Sequence, residues 1–324
     1  MSLIAYLRLG RINLTGFLVI LPPIIYAVAG GNFWSLTALE LALFGLLYQY
    51  NGFVLNDYWD RELDRKDNKY WRPLVNGSVS ETTVKWLIVG LSITCIIIAL
   101  PLANSIDSII ALILAVVCGT LYNYTKARTC FSFIFSACAF SFFIMFPYAI
   151  NSKIDSIIVL LMLYTFFHVV YQIGYTGNYI DIQDSKNFIK LLGTKVSNNR
   201  LLISATTKLF GYATKLTTFI IGLLFWWVAI PSNLKIFFIS VYCTLYIIIF
   251  YVVQRQLISQ DINRAYMSKN IVIVELLSFY AIMFMLYPRV GTIEYLLFII
   301  FPPLWFFLWN PLLWGKSYIL SPKV

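Results

Sequence analysis

Asn56-Asp57-Tyr58-Trp59-Asp60-Arg61-Glu62-Leu63-Asp64 closes an apolar run that begins near residue 35. Three of its aspartates stand three and four residues apart, which puts them on one face if the stretch is helical. Acids are scarce elsewhere, with 14 Asp and Glu among 324 residues. Three carboxylates converging at the mouth of a membrane helix repel one another and lose hydration, so they call for a cation, most simply magnesium holding a diphosphate. The carboxylates are expected at a hydrated mouth rather than in packed core.

Outward from that stretch, the composition sets the solvent. Apolar residues make up 60% of the chain and charged residues 12%, with a mean hydropathy of +0.80, whereas a soluble domain has about 45–50% and about 25%. The expected fold is an all-α polytopic membrane bundle of nine to ten transmembrane helices, in a single domain over residues 1–324. Apolar windows long enough to span, about 20 residues each, fall near 12–30, 35–55, 84–103, 106–122, 131–150, 156–178, 209–230, 234–254, 270–287 and 293–313. Met1 to Arg11 lacks the small-residue cleavage site of a signal peptide, so the first run is expected to stay as a helix.

Charge tests this segmentation, because cytoplasmic loops collect Lys and Arg. With the N-terminus inside, 21 of the 24 basic residues fall on the cytoplasmic side, and only Lys153, Lys235 and Arg289 fall outside. Both termini and the two long polar loops, 56–83 and 179–208, are then cytoplasmic. The net charge of +10 follows from this topology and from anionic lipid headgroups, without nucleic acid. The five cysteines form no C-x-x-C pair and read as core residues. The single histidine, His168, reads as a core or pore-lining group, and Glu40 and Glu275 as paired helix-interface acids.

The two loops follow the second and sixth spans and read as two similar halves. The first holds Asp57, Asp60 and Asp64 among Arg61, Arg65, Lys66, Lys69 and Arg72; the second holds Asn178, Asp181 and Asp184 near Lys186, Lys190 and Lys195. Each pairs an oxygen-ligand cluster with basic side chains. Magnesium binds few protein carboxylates and completes its shell with water and phosphate oxygens, while Lys and Arg neutralise the remaining charge. If the diphosphate leaves, the same ions stabilise the charge that develops. An apolar bundle with 18% aromatic residues can bury an isoprenoid tail, face an allylic cation with ring quadrupoles and exclude water. Arg61, Glu62, Lys69 and Glu81 read instead as solvated surface charges.

The run NDYWDRELD resembles the NDxxDxxxD signature of the UbiA superfamily of intramembrane prenyltransferases. Arg72-Pro73-Leu74, Asn76-Gly77 and Val79-Ser80 resemble that family's RPL-x-x-G-x-V-S segment, Tyr122 to Lys126 its Y-x-x-x-K element, and Asp181-Ile182-Gln183-Asp184 its second acidic motif. The likeness spans roughly 8–290, leaving 291–324 as an additional C-terminal helix. It implies a bundle around a central cavity open toward the membrane, with Asp57, Asp60 and Asp64 binding one magnesium, and Asp181 and Asp184 a second. It further implies that Asn56 stands beside the first ion, that Arg72 and Lys126 contact the diphosphate, and that Tyr122 positions substrate or quiets the cation. Arg11 stands where the family has an N-terminal arginine. The chain departs from the pattern at Phe188, where a further acid is common, and at Ile12, where proline is common. The implied activity is magnesium-dependent transfer of an isoprenoid from a prenyl diphosphate to a nucleophilic acceptor in the lipid bilayer. An aromatic quinone precursor is the first expectation for that acceptor, ahead of a lipid or sugar phosphate. A terpene cyclase of the same superfamily and a transporter are the rivals.

Overall fold

In the computed structural model, which describes residues 3–126, 128–180, 187–197, 200–230, 235–258 and 264–315, the chain enters the bundle through a bend. Helix α1 (Leu3–Leu9) and a 3-10 turn (Ile12–Leu14) lead into α2 (Gly16–Val28), with a change of direction of 45°. At the bend Arg11 is left-handed, with φ 44°, a region that side-chain-bearing residues seldom occupy. Ser35 then accepts a hydrogen bond from the Ala38 N–H and starts α3 (Leu36–Lys66).

Helix α3 runs for 31 residues, about 46 Å at about 1.5 Å per residue, well beyond the roughly 30 Å apolar core of a bilayer. The sequence reading opened a loop at residue 56; instead the helix carries all three aspartates and ends at Lys66. No glycine or proline interrupts 53–66, and an Arg65–Glu62 pair at 2.8 Å supports its last turn.

Ser80 caps α4 (Glu81–Leu102), a Ser105–Ser108 capping box starts α5 (Ile106–Thr125), and α6 (Phe133–Asn151) follows. Asp155 caps α7 (Ser156–Val169), which widens into a π-helical stretch, Val170–Gly177, before the short α8 (Asn178–Ile180). The first acidic motif sits on regular helix, whereas the described residues that precede the second, Val170–Gly177, are wound more loosely. A short α9 (Phe188–Leu191) and an antiparallel hairpin, β1 (Lys195–Ser197) with β2 (Arg200–Leu202), lead to α10 (Ala205–Ala229), α11 (Lys235–Ile258), α12 (Arg264–Leu286) and α13 (Thr292–Trp314).

Among the described residues eight helices are long and apolar enough to cross a membrane, or nine if the bent α1–α2 pair is one span. Helix α12 occupies the position of the ninth expected span. Neighbouring helices pack around a ring, α2 to α3, α3 to α5, then α6, α7, α10, α11, α12 and α13, which closes on α2. Helix α4 packs chiefly against α3.

Two isolated ionisable residues of the sequence find each other. His168 Nε2 lies 3.5 Å from Glu275 Oε2, joining α7 to α12. Lys215 had been counted among the cytoplasmic charges, but it lies midway along α10, 1% exposed, donating to Ser278 Oγ at 2.9 Å with its ammonium 4.1 Å from the centre of the Tyr171 ring. Glu40, one turn into α3, has no ion-pair partner among the described residues.

Candidate active site

One face of α3 carries Asn56, Asp57, Asp60 and Asp64, exposed by only 8, 2, 7 and 3%. The expected hydrated mouth is thus a covered one. The cover is the 67–80 segment, which folds back over the helix end. Leu74 and Val79 are buried against Val54, Val84, Ala5 and Leu9. Asn68 at φ 55° and Gly77 at φ 76° make its left-handed turns, and the Asn76 side chain ties Tyr70 O to the Ser78 N–H. Packing of the apolar positions in R-P-L-x-x-G-x-V is what suspends Arg72 and Lys69 above the acids.

Every carboxylate meets at least one cation. Arg11 Nη2 donates to Asp57 Oδ1 at 2.6 Å, and Arg72 donates to the same oxygen. Lys126, just past the end of α5, donates to Asp60 Oδ2 at 2.8 Å and to Asn56 Oδ1 at 3.1 Å. Lys69 reaches Asp64 Oδ1 at 3.0 Å and Asp67 Oδ2 at 2.8 Å. Burial acts to lower both lysine pKa values, but Tyr122 and Asp60 around Lys126, and Asp67 and Asp64 around Lys69, raise them overall. Both are ammonium groups at neutral pH.

This pairing corrects the expectation of converging carboxylates. Seven residues of helix separate Asp57 from Asp64 by about 10 Å, and among the described residues no three acidic, histidine or cysteine side chains close around a single point. The acids are relieved by cations rather than forced together. With Asp67 included, four carboxylates balance Arg11, Lys69, Arg72 and Lys126. A diphosphate entering this neutral cluster brings negative charge that only added cations offset. The carboxylate and amide oxygens are hard donors of the kind magnesium takes. Arg72 Nε is buried without a hydrogen-bond partner, 3.8 Å from Asp64 Oδ2, a donor free for a phosphate oxygen. The residues fit magnesium bound together with a diphosphate.

Below the acids lies a cavity of about 460 Å³ between α3, α4, α5, α6 and the π-helical stretch. Arg11, Asn56, Tyr122 and Lys126 form its polar end; Tyr48 and Phe44 stand at the far end on α3. From Asn56 to Phe44 is about 18 Å along the helix. The Tyr48 and Phe143 rings stack at 4.8 Å there, and Tyr48 Oη donates to Ala115 O at 2.9 Å. Ile96 and Val116 also line the cavity and are 54% and 45% exposed, so it opens sideways between α4 and α5.

Asn178 is used locally: its amide donates to Ile173 O and Gly174 O and accepts from the Phe188 N–H. Asn187 donates to Asn178 O at 2.6 Å, and Phe188, where the family pattern has an acid, is buried against Phe133 and Phe210. Asp181, Asp184 and Lys186 lie outside the described residues. Gln172 and Ile173, from the stretch leading to them, share the cavity wall with Asn56 and Lys126.

Lys69 was read as surface charge and instead holds Asp64; an acid five residues upstream was its only sequence signal. Arg61, Glu62, Arg65 and Glu81 do form a partly exposed network, with Arg61 Nε 3.2 Å and Arg65 Nη2 3.1 Å from Glu81. Asn51 and Asn123 went unread. Both line the cavity with a buried amide oxygen that has no hydrogen-bond partner.

Known proteins match this arrangement in sequence and in fold. The 4-hydroxybenzoate octaprenyltransferase of Histophilus somni (strain 2336) is 30% identical over 161 residues, 48% of this chain and little more than half, 55%, of that protein. The protein of that name from Pasteurella multocida (strain Pm70) is 27% identical over 68% of this chain and 76% of its own length. Among solved structures, a digeranylgeranylglyceryl phosphate synthase superposes with a TM-score of 0.67 at 17% identity, covering 88% of this chain and 98% of that one. A UbiA homologue from Archaeoglobus fulgidus bound to GPP and Mg2+ superposes at 0.60 and 17% identity, covering 88% and 99%. At that identity the likeness is one of fold. The profile of the UbiA prenyltransferase family itself matches residues 17–271, taking in the acidic face of α3, Arg72 and Lys126, and this chain belongs to that family.

Proposed function

We propose that the protein is a magnesium-dependent membrane prenyltransferase that moves an isoprenoid chain from a prenyl diphosphate to a nucleophilic acceptor. The observation that carries this reading is the join between two environments: a neutral cluster of buried acids and cations opens directly into an apolar cavity with a lateral exit. One end suits a diphosphate, the other its hydrocarbon tail. Asp57, Asp60 and Asp64 with Asn56 would hold magnesium on this side, and Asp181 and Asp184 on the other; when bound, the metal stabilises the charge gathering on the leaving diphosphate.

Arg11, Arg72 and Lys126 exchange carboxylate partners for phosphate oxygens. Heterolysis of the bond between C1 and oxygen leaves the electron pair on the diphosphate and an allylic cation beside Tyr122 and Phe53. The acceptor's electron pair closes on C1, and the acceptor loses a proton. The cavity excludes the water that would otherwise compete. An aromatic acceptor is favoured by the names of the curated relatives. The basic bias of the loops supports a site facing the cytoplasm, with both termini on that side.

Detergent-purified protein is expected to release diphosphate from farnesyl or geranylgeranyl diphosphate only with magnesium, faster when aromatic acceptors are supplied, and to yield a product carrying both masses. A cyclic hydrocarbon formed without acceptor would favour a cyclase. Neither release nor prenyl diphosphate binding would end the enzyme reading and leave a carrier.

The cavity makes a separate prediction. A Cβ placed on Gly119 would lie 3.1 Å from Tyr48 Oη, and Gly119 sits about 10 Å along α5 from Lys126. Gly119→Leu is therefore expected to block tails that pass this depth. It should lower kcat/KM for farnesyl diphosphate about tenfold or more and leave dimethylallyl diphosphate within about twofold. Equal loss on both substrates would show that the tail does not run along this wall.

A further inference from the structure

Helix α13 lies wholly beyond residues 17–271, which the family profile matches. Read from sequence, it stood as an additional C-terminal helix with no assigned role. Its polar contacts point to one. Trp305 Nε1 donates to Ile12 O at 2.6 Å. Asn13 Nδ2 donates to Asn310 Oδ1 at 3.1 Å, between residues 7% and 2% exposed. Arg8 Nε donates to Leu313 O at 2.7 Å, and its guanidinium stands 4.9 Å from the centre of the Trp314 ring. Gly16 has no room for a side chain, since a Cβ there would meet Trp305 at 2.7 Å. The contacts fall at residues 8, 12, 13 and 16, on both sides of Arg11.

Arg11 is the left-handed residue of the bend, and its guanidinium holds Asp57 while packing 4.9 Å from the centre of the Phe53 ring. A side-chain-bearing residue keeps that backbone only where its surroundings over-determine it. At its other end α13 is tied to the α2–α3 connection, with Trp34 Nε1 donating to Glu294 Oε1 at 2.8 Å. Between these ties Phe17, Phe279 and Phe298 interlock α2, α12 and α13. The opposite face of α13, with Leu304, Phe307, Leu308 and Leu312, is exposed and apolar, as a lipid-facing surface is. The polar face grips the bend.

We propose that α13 is a brace that fixes the Arg11 bend against the acidic face of α3, and that Trp305 and Asn310 are positioning residues for diphosphate binding. Neither touches the diphosphate site; both act through Arg11. The proposal rests on the reading of that site as the diphosphate site, so its test includes Arg11 itself.

Binding of geranyl thiodiphosphate, which resists ionisation, is measured with magnesium on full-length wild type, Trp305→Phe, Arg11→Gln and the double variant. Trp305→Phe keeps an aromatic ring, smaller than the indole, and removes the donor. It is expected to raise Kd about five- to tenfold, the loss of roughly one hydrogen bond's worth of preorganisation, with an unchanged melting temperature. Phe307→Leu, on the lipid face, is expected to bind like wild type. In the Arg11→Gln background, itself weakened, Trp305→Phe should add less than twofold, because the effect it transmits has already gone. Wild-type binding by Trp305→Phe would overturn the brace. So would a full additional loss in the double variant, since that is general destabilisation. Wild-type binding by Arg11→Gln would instead remove Arg11 from the diphosphate site, failing the underlying reading.

Discussion

Asp60→Asn is expected to lower magnesium-dependent kcat/KM by about a thousandfold, about 4 kcal/mol of transition-state stabilisation, while the protein stays folded. The structure gives the reason for choosing asparagine. Asp60 is 7% exposed and accepts from Lys126 at 2.8 Å, so alanine would leave a cation over a void, whereas asparagine keeps the shape and an acceptor oxygen. What it removes is the charge. Lys126 also contacts Asn56 Oδ1 at 3.1 Å, so its ammonium keeps two partners, and the stability loss should stay within about 1–3 kcal/mol. On the proposed reading catalysis has no such reserve, since a carboxylate oxygen that would hold magnesium against the developing diphosphate charge is not replaced by an amide. Glu62→Gln is the matched control. It lies on the same helix two residues away, but its side chain is 63% exposed and reaches Arg65 in the surface network; activity within about twofold of wild type is expected of an exposed pair. Single-turnover product formation at saturating magnesium measures both. Activity of Asp60→Asn within tenfold of wild type would remove Asp60 from the metal site.

The spacing of Asp57, Asp60 and Asp64 made the shared helical face legible, because a period of about 3.6 residues is a property of the chain alone. Their surroundings were not legible. Burial of the acids depends on Leu74 and Val79 packing onto Val54 and Val84, a tertiary contact that no local pattern announces. The expectation that three carboxylates would meet missed the cations that come between them, Arg11, Arg72, Lys126 and Lys69, which the spacing of the acids does not announce. Lys126 and Arg72 were found through the family resemblance; Lys69, absent from that pattern, was not. Apolar runs located the spans, and the window 209–230 already held Lys215; the charge count nevertheless placed it in the cytoplasmic loop, because nothing in the sequence shows that a long stem buries there as an apolar side chain does. The widened winding at Val170–Gly177 likewise left no periodic trace. The tryptophans of α13 were visible as composition, but their pairing with residues 8–16 is a matter of register between distant segments.

Glu275→Gln is expected to destabilise the bundle by about 3 kcal/mol, because it leaves a buried cation without its opposite charge. Glu275 lies at mid-length of α12 with its side chain 20% exposed and 3.5 Å from His168, and its charge acts on the buried Lys215 of α10 without a direct ion pair among the described residues. Lys215 keeps its hydrogen bond to Ser278 and the face of Tyr171; neither carries a full negative charge. Lys215→Met removes the cation at nearly constant length, and it should itself be destabilising because Glu275 is then left over. The double variant, with neither charge, should recover most of the loss, as an apolar replacement of a buried pair often does. In a chain of 324 residues about 3 kcal/mol corresponds to a fall in melting temperature of roughly 4–5 °C, readable in detergent by intrinsic tryptophan fluorescence. The same variants separate a structural role from a functional one. Tyr171, Tyr175 and Tyr179 stack at 5.3 and 5.8 Å and lead from Lys215 toward the second acidic motif, so activity per folded molecule is the second readout. If the cluster is a packing device, Glu275→Gln melts early but works normally below its transition. If it melts like wild type and fails to turn over, the intramembrane acid is part of the machinery, and a carrier-like role for that interior regains its footing.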